Sequence, residues 1–143
     1  MRFWDTSAIV PLVIEEPLSA LTTGWLEEDP SVVVWTLTPI EIVSALERRV
    51  REGGLGEREA LAAEDLSQAL LESASEITAV EQAKPLARRL LRTHPLRAAD
   101  ALQLAAALLW AEGSPSGAIL HTFDRRLALA AAREGFRVES GEP

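Results

Sequence analysis

Four acidic residues stand where a parallel α/β protein would bring chemical groups together. Asp5 ends a short predicted strand, Glu41 lies in the first turn of a predicted helix, and Asp100 and Asp124 lie near the starts of two later helices. In a parallel sheet, the carboxyl ends of the strands and the amino ends of the helices that follow share one edge. We therefore expect these acids to converge despite their separation along the chain.

Converging carboxylates repel one another and raise each other's pKa unless a cation neutralises them. Oxygen ligands without cysteine favour Mg²⁺ or Mn²⁺, and such ions assist phosphodiester hydrolysis. Asp100 gives the strongest indication of a bound cation. It lies in the very apolar segment Ala98–Ala111, where an unpaired charge is costly to bury. Taken singly, each acid is also consistent with a helix cap or a first-turn residue favoured by the helix dipole.

The elements that must position these acids alternate between strand and helix. Short apolar runs predict strands at Arg2–Asp5, Ser31–Trp35, Ile77–Val80, Ala118–His121 and Phe136–Glu139. Between them, helices are predicted at Ser7–Ile14 (interrupted by Pro11), Leu18–Glu28, Thr38–Arg51, Glu57–Ala74, Glu81–Leu91, Ala98–Ala111 and Asp124–Glu134, before a tail at Ser140–Pro143. This alternation predicts an α/β fold, a doubly wound parallel sheet of four to five strands flanked by helices. We expect one domain over residues 1–143.

The helix at Thr38–Arg51 carries the clearest local signals. Thr38 is predicted as its cap and Pro39 as its first helical residue. Ile40, Val43, Leu46 and Val50 recur at spacings of three and four, which predicts the buried stripe.

Composition narrows the class of protein. The net charge of −8 argues against a general nucleic-acid coat protein, although bound divalent cations would reverse the local field. There is no cysteine, so disulfides and thiolate metal sites are excluded. No apolar run approaches a membrane span, and the N-terminus lacks a signal-peptide pattern. We therefore expect a cytoplasmic protein that does not enter membranes.

Four short segments, taken together in their order along the chain, resemble those of a known protein family, although no single one of them is specific. They are Asp5-Thr6-Ser7; Glu41 within Thr-Pro-Ile-Glu-Ile-Val-Ser-Ala-Leu; Asp100 within Leu96-Arg97-Ala98-Ala99-Asp100-Ala101-Leu102-Gln103-Leu104; and Thr122-Phe123-Asp124-Arg125-Arg126-Leu127. This set resembles a PIN-domain protein over essentially the whole chain. It is most similar to the VapC-type ribonuclease toxins of prokaryotic toxin–antitoxin pairs.

The resemblance implies a PIN-like fold that hydrolyses RNA with Mg²⁺ or Mn²⁺. Asp5 and Asp100 would be direct metal ligands, and Glu41 and Asp124 would complete the site directly or through water. Thr6 and Thr122 match small hydroxyl positions that line such sites, with helix capping as the alternative. Arg125 and Arg126 could hold substrate phosphate or be solvated helix charges.

The resemblance also implies partners. They are the RNA substrate, a second copy of the chain in a homodimer, and a cognate antitoxin received by the helices at 39–51 and 57–74. Those helices could instead satisfy their apolar faces within the chain's own core. No aromatic residue follows the second strand closely enough to predict a base preference.

The sequence is also compatible with three other functional hypotheses. The fold could be a catalytically silent interaction module. His94 and His121 could support metal-free acid–base cleavage of RNA. The third is a phosphate-accepting receiver domain, which also places acids at strand ends. Such a domain requires a lysine near its last functional strand, whereas the only lysine here is Lys84, in a predicted helix.

Overall fold

Five short strands alternate with seven helices in the computed structural model, which describes residues 1–141. The strands are β1 (Arg2–Trp4), β2 (Val32–Trp35), β3 (Ser75–Ile77), β4 (Ile119–His121) and β5 (Arg137–Glu139). The helices are α1 (Thr6–Val13), α2 (Ser19–Glu28), α3 (Thr38–Arg51), α4 (Glu57–Glu72), α5 (Val80–Thr93), α6 (Ala98–Trp110) and α7 (Arg125–Glu134). The predicted tail at 140–143 lies partly outside the described residues.

The strands form one parallel sheet in the order β3-β2-β1-β4-β5. The central strand β1 pairs with β2 through Phe3 and Val33 and with β4 through Phe3 and Leu120. The chain runs outward from β1 in one direction and later in the other, so the strand order reverses at β1. The predicted doubly wound parallel sheet is confirmed, and the reversal lies beside Asp5, where open α/β sheets bind their ligands.

The two faces of the sheet bury separate apolar clusters. Because successive strand residues point to opposite faces, Phe3 packs with α5, α6 and α7, whereas Trp4 packs with α1 to α4. Leu104 of α6 and Ile42 of α3 are fully buried on these two sides, and burial of each such side chain stabilises the fold by roughly 1.5–3 kcal/mol. The packing fixes α3 and α6, the helices that carry Glu41 and Asp100.

An aromatic cluster holds the end of β1. The ring of Trp4 lies with its centroid 6.2 Å from that of Trp25 and 4.6 Å from that of His121. Trp25 also stacks on His121 at 4.2 Å and on Phe123 at 5.4 Å. Since Asp5 and Asp124 follow Trp4 and Phe123 directly, this packing fixes the backbone from which both acids project.

Local predictions differ from the structure in α1 and β3. Pro11 lies inside α1 and does not interrupt it, because burial of the short helix outweighs the hydrogen bond that proline cannot donate. The third strand occupies Ser75–Ile77 and ends where it was predicted to begin. It is an edge strand with one half-buried residue, so its apolar signal is weak.

In α3 the predicted cap is wrong, and the predicted stripe is only partly right. Thr38 is already helical, Leu37 is the cap residue, and the buried Thr38 hydroxyl accepts a hydrogen bond from another helix. Leu46 of the predicted stripe is buried and Val50 packs half-buried against the same cluster, whereas Ile40 is 68% exposed and Ile42 is buried instead. None of the helices within residues 1–141 is both long and apolar enough to cross a bilayer.

Candidate active site

The four acids predicted to converge line one cleft of about 350 Å³, here called the carboxylate cleft. Asp5 enters it between β1 and α1, Glu41 from the first turn of α3, Asp100 from the first turn of α6, and Asp124 from the residue before α7. Thr6, Ser7, Glu16, Arg48, Arg49 and Phe123 are among the other lining residues. The edge shared by strand ends and helix starts thus brings together residues separated by more than a hundred positions.

Asp5 is held by hydroxyl groups on one of its oxygens. Its Oδ2 accepts hydrogen bonds from Ser7 Oγ at 2.6 Å and from Thr122 Oγ1 at 2.9 Å, with a longer one from Ser7 N at 3.3 Å. Thr122 Oγ1 in turn accepts from the backbone N–H of Asp124 at 3.1 Å. No hydrogen bond from residues 1–141 reaches Oδ1 of Asp5, which leaves that oxygen available to a ligand.

Glu41 is held in a similar way by α1 and α6. Its Oε2 accepts from Thr6 Oγ1 at 2.8 Å and from Gln103 Nε2 at 3.0 Å. Gln103 is almost completely buried, and its Nε2 also lies 3.2 Å from Thr6 Oγ1 and 3.2 Å from Thr38 Oγ1. The amide therefore ties the first turns of α1 and α3 to the middle of α6.

Asp100 and Asp124 also serve the helices on which they lie. Asp124 caps α7 by accepting from Leu127 N at 2.9 Å. Asp100 lies in the first turn of α6, where the backbone of the cap residue Arg97 favours its ionised form and by itself would lower its pKa. Asp5 likewise accepts from Ser7 N at the start of α1. The alternative is thus correct for all four acids, since Asp5 and Asp124 are caps and Glu41 and Asp100 are first-turn acids. Convergence in one cleft is an additional property.

Burial and mutual repulsion disfavour ionisation of the cleft. Burial, with a smaller contribution from Glu41, raises the pKa of Asp5 to about 6 against the stabilising hydrogen bonds of Ser7 and Thr122. Burial, followed by the charges of Asp124 and Asp5, raises the pKa of Asp100 to about 6. Burial also raises the pKa of Glu41, with a further contribution from Asp100. A cation in this cleft would relieve both effects.

The residues predicted to bind substrate hold different positions. The hydroxyls of Thr6 and Thr122 are buried and are engaged with Glu41 and Asp5 respectively, so in this structure they orient acids. Arg125 is exposed and lines a second cleft beside Asp100 and Asp124. Gln103 and Ser7 were missed as functional candidates, although an amide within the apolar run of α6 was a visible signal.

Comparison with known proteins agrees with the order of these segments. The family model of the PIN domain matches residues 2–133. The chain belongs to the PIN domain family. Two curated relatives of this PIN-domain chain, Ribonuclease VapC45 and Ribonuclease VapC49 from two strains of Mycobacterium tuberculosis, are each 32% identical over 136 residues, or 95% of this chain and 92% of the relative.

Solved structures agree with the PIN fold. VapC20 from Mycobacterium tuberculosis superposes with a TM-score of 0.64 at 20% identity, covering 91% of this chain and 95% of its own. FitAcB from Neisseria gonorrhoeae gives 0.64 at 17% identity, covering 96% of each chain. PAE2754 from Pyrobaculum aerophilum gives 0.61 at 23% identity, covering 96% of this chain and 87% of its own. At these identities the likeness is one of fold.

The donor set of this PIN domain fits a hard divalent cation. It consists of carboxylate oxygens with hydroxyl groups nearby and no sulfur, the chemistry that Mg²⁺ and Mn²⁺ prefer. Within residues 1–141, the side chains as placed bring no three acidic or histidine ligands close enough to bind one ion. Mg²⁺ is commonly held by one or two carboxylates and several waters, so the cleft fits such a site.

The two histidines of this PIN domain do not belong to the carboxylate cleft. His94 Nε2 lies 2.7 Å from Glu134 Oε2. His121 stacks on Trp25, and burial, together with the Arg2 charge, lowers its pKa to about 4. Neither residue lines the cleft, so the geometry gives no support to metal-free cleavage by a histidine pair.

We therefore expect RNA cleavage to survive loss of both histidines. The double variant His94→Gln/His121→Gln should keep activity within about threefold of wild type, because neither imidazole reaches the carboxylates. The measurement is the cleavage rate between pH 6 and 8, at a temperature where circular dichroism shows the variant folded. A folded variant whose cleavage rate had fallen by more than about a hundredfold, the lower end of the range for an acid–base catalyst, would restore the histidine mechanism.

Proposed function

We propose that this protein is a divalent-metal-dependent endoribonuclease and the toxin component of a type II toxin–antitoxin pair. The observation that carries the proposal is the convergence of Asp5, Glu41, Asp100 and Asp124 in one cleft, with the pKa of Asp5 and of Asp100 raised to about 6. Membership of the PIN domain family and curated relatives named ribonucleases support the reaction class. An RNA substrate would place the protein in the cytoplasm.

In this proposal Asp5 and Asp100 hold Mg²⁺ or Mn²⁺ directly, and Glu41 and Asp124 complete the site directly or through water. The bound cation would supply charge neutralisation and Lewis-acid assistance to hydrolysis. Ser7 and Thr122 keep Asp5 in place, and Thr6 and Gln103 do the same for Glu41. Water adds to phosphorus as the bond to the 3′ oxygen breaks, and Arg125 binds substrate phosphate.

The experiment is cleavage of a mixed pool of structured and single-stranded RNA by the purified protein. Reactions contain Mg²⁺, Mn²⁺ or excess chelator, and the variant Asp100→Asn is assayed beside wild type. We expect cleavage that requires the cation and is absent from the variant. Asp65→Asn, a change on the exposed face of α4 outside the carboxylate cleft, is the matched control and should cleave as wild type does.

Two outcomes would contradict the proposal. Cleavage that persists in chelator and in Asp100→Asn would remove the carboxylates from the mechanism. A protein that cleaves no RNA and whose melting temperature Mn²⁺ leaves unchanged would be a catalytically silent interaction module on the PIN fold.

Partners form a second part of the proposal. A groove of about 500 Å³ between the end of α1, α3 and α4 is lined by Val13, Ile14, Leu55 and Leu66, and it shares Glu16 and Arg49 with the carboxylate cleft. This continuity supports an antitoxin segment that lies in the groove and reaches the acids. A homodimer follows from the resemblance to VapC-type toxins. Light scattering of the purified protein, alone and with the product of the neighbouring gene, measures both assemblies.

A further inference from the structure

A second cleft, of about 520 Å³, opens beside the carboxylate cleft and is lined mainly by arginine. Its charged residues are Arg48, Arg97, Arg125 and Arg126, together with Asp100 and Asp124, and we call it the arginine cleft. Arg48, Asp100 and Asp124 line both clefts. A chain with one group at the carboxylates can therefore continue directly into the arginine cleft.

The charge of this cleft is opposite to that of the protein. The chain has 22 acidic residues, 14 arginine and lysine residues and a net charge of −8. Even so, the charged lining of this cleft is four arginines against two aspartates. A polyanion approaching a largely acidic surface would find a favourable local potential here, since like-signed groups in a cleft reinforce one another.

Three of the arginines stand where the helices themselves disfavour a cation. Arg97 is the cap residue of α6, and Arg125 and Arg126 open α7. The amino end of a helix carries a partial positive charge that favours anions and repels cations. Arginine side chains and exposed backbone N–H groups together are a setting suited to phosphate.

The protein does not neutralise this cluster fully from within. Among residues 1–141, the side chains of Arg48, Arg97 and Arg126 make no hydrogen bond or salt bridge, and Arg97 has only a weaker electrostatic interaction with Asp100. By contrast, the nearby Arg49 is paired with Glu16 at 2.7 Å and Arg89 with Glu134 at 2.7 Å. Free guanidinium groups are thus available in the arginine cleft.

We propose that the arginine cleft binds the RNA phosphate next to the one being cleaved, with Arg97 and Arg126 as its principal donors and Arg48 at the junction of the two clefts. The inference rests on the proposed ribonuclease function and adds the path of the substrate strand. Arginine binds phosphate bidentately, and the shared lining places that phosphate immediately beside the carboxylates. An acidic peptide would match the charge but would have no reason to continue toward the acids.

The test is RNA binding measured separately from cleavage. A labelled single-stranded RNA oligomer is titrated with protein in excess chelator, so that cleavage is suppressed, at a series of salt concentrations. Arg97→Ala/Arg126→Ala should weaken binding at least fivefold at 0.1 M salt. It should also reduce the slope of log affinity against log salt by about 0.7, the contribution of one neutralised phosphate on a single strand.

The matched control is Arg92→Ala/Arg133→Ala. These exposed arginines lie in the last turns of α5 and α7 and line neither cleft. The control therefore removes the same two positive charges, but away from both clefts. The control should leave the salt slope unchanged. Arg97→Lys/Arg126→Lys keeps the charge and should retain most of the slope while losing part of the affinity. Circular dichroism checks that each variant is folded.

Three results would overturn the inference. They are an unchanged salt slope in the folded Arg97→Ala/Arg126→Ala variant, an equal loss in the control variant, or arginine-dependent binding of a polyglutamate peptide with none of RNA. Each is independent of the cleavage assay. Failure of the wild-type protein to cleave RNA would contradict the proposed function. Cleavage that does not depend on these arginines would contradict only the proposed path of the RNA strand.

Discussion

Asp5→Asn is expected to remove RNA cleavage while raising the stability of the metal-free protein at pH 7. Asp5 follows the central strand, and only its Oδ2 is taken by Ser7 and Thr122, so its other oxygen is the part available to a cation. Neutralising the Asp5 carboxylate should lower the cleavage rate by more than about a hundredfold. That is the upper end of the loss found on mutation of residues that only orient metal ligands.

The gain in stability follows from the pKa of the same carboxyl. In the folded protein the pKa is about 6, above the ordinary value of 3.8, so the folded state holds this proton more tightly than the unfolded state does. The corresponding stability is fully present below about pH 4 and is lost as the pH rises through 6. Two pKa units correspond to about 3 kcal/mol. Asparagine carries no charge and should recover about 1–3 kcal/mol at pH 7.

The measurement is denaturant unfolding of wild type and Asp5→Asn in chelator from pH 4 to 8. The difference in free energy of unfolding should be close to zero at pH 4 and should grow through pH 6. His121 has a pKa lowered to about 4, chiefly by burial, and acts in the opposite direction over part of this range. Since both proteins contain His121, its effect cancels in the difference. An Asn variant less stable than wild type at pH 7 would show that the ionised Asp5 is a favourable structural group.

The edge on which the acids meet was predictable from the sequence because topology alone determines it. Once Asp5, Glu41, Asp100 and Asp124 are assigned to strand ends and helix starts of a parallel sheet, the shared edge follows. No detail of packing is needed, so errors of a few residues in β3 or α4 did not matter. The same reasoning predicted the doubly wound sheet, which the structure confirms.

Features that depend on how helices face one another could not be predicted in this way. Thr38 reads as a helix cap from its neighbours, but the buried amide of Gln103 reaches it from α6 and gives it a different role. Ile40 fits an apolar stripe by spacing, yet the side of α3 that meets the sheet carries Ile42. Both outcomes depend on the rotation of α3 about its axis, which tertiary packing determines and which local spacing specifies only loosely.

Gln103→Leu is expected to lower cation affinity and cleavage by roughly 10- to 100-fold, the range found for partners that orient metal ligands. Gln103 touches neither substrate nor reacting atoms in our proposal and is therefore a positioning residue. Its amide donates to Glu41 Oε2 at 3.0 Å. Leucine would leave Thr6 as the remaining side-chain donor among residues 1–141 to that oxygen, and Glu41 would be free to sample other rotamers.

The effect on folding should be small by comparison. The Oε1 atom of Gln103 is buried and has no hydrogen-bond partner among residues 1–141, a situation that costs about 1–3 kcal/mol. Leucine removes that unpaired acceptor as well as the donated bonds, so the two changes oppose each other. We expect the free energy of unfolding in chelator to change by less than about 1 kcal/mol.

Thr38→Val separates positioning of Glu41 from general loosening of the cluster. Thr38 accepts from the same Gln103 Nε2 at 3.2 Å, but no hydrogen bond among residues 1–141 joins its hydroxyl to Glu41. The Thr38→Val variant should therefore be modestly less stable than wild type, and its Mn²⁺ affinity, measured by calorimetry, should be close to that of wild type. Equal losses of Mn²⁺ affinity in Thr38→Val and Gln103→Leu would mean that Gln103 acts only through packing. A loss confined to Gln103→Leu would mean that the amide sets the orientation of Glu41.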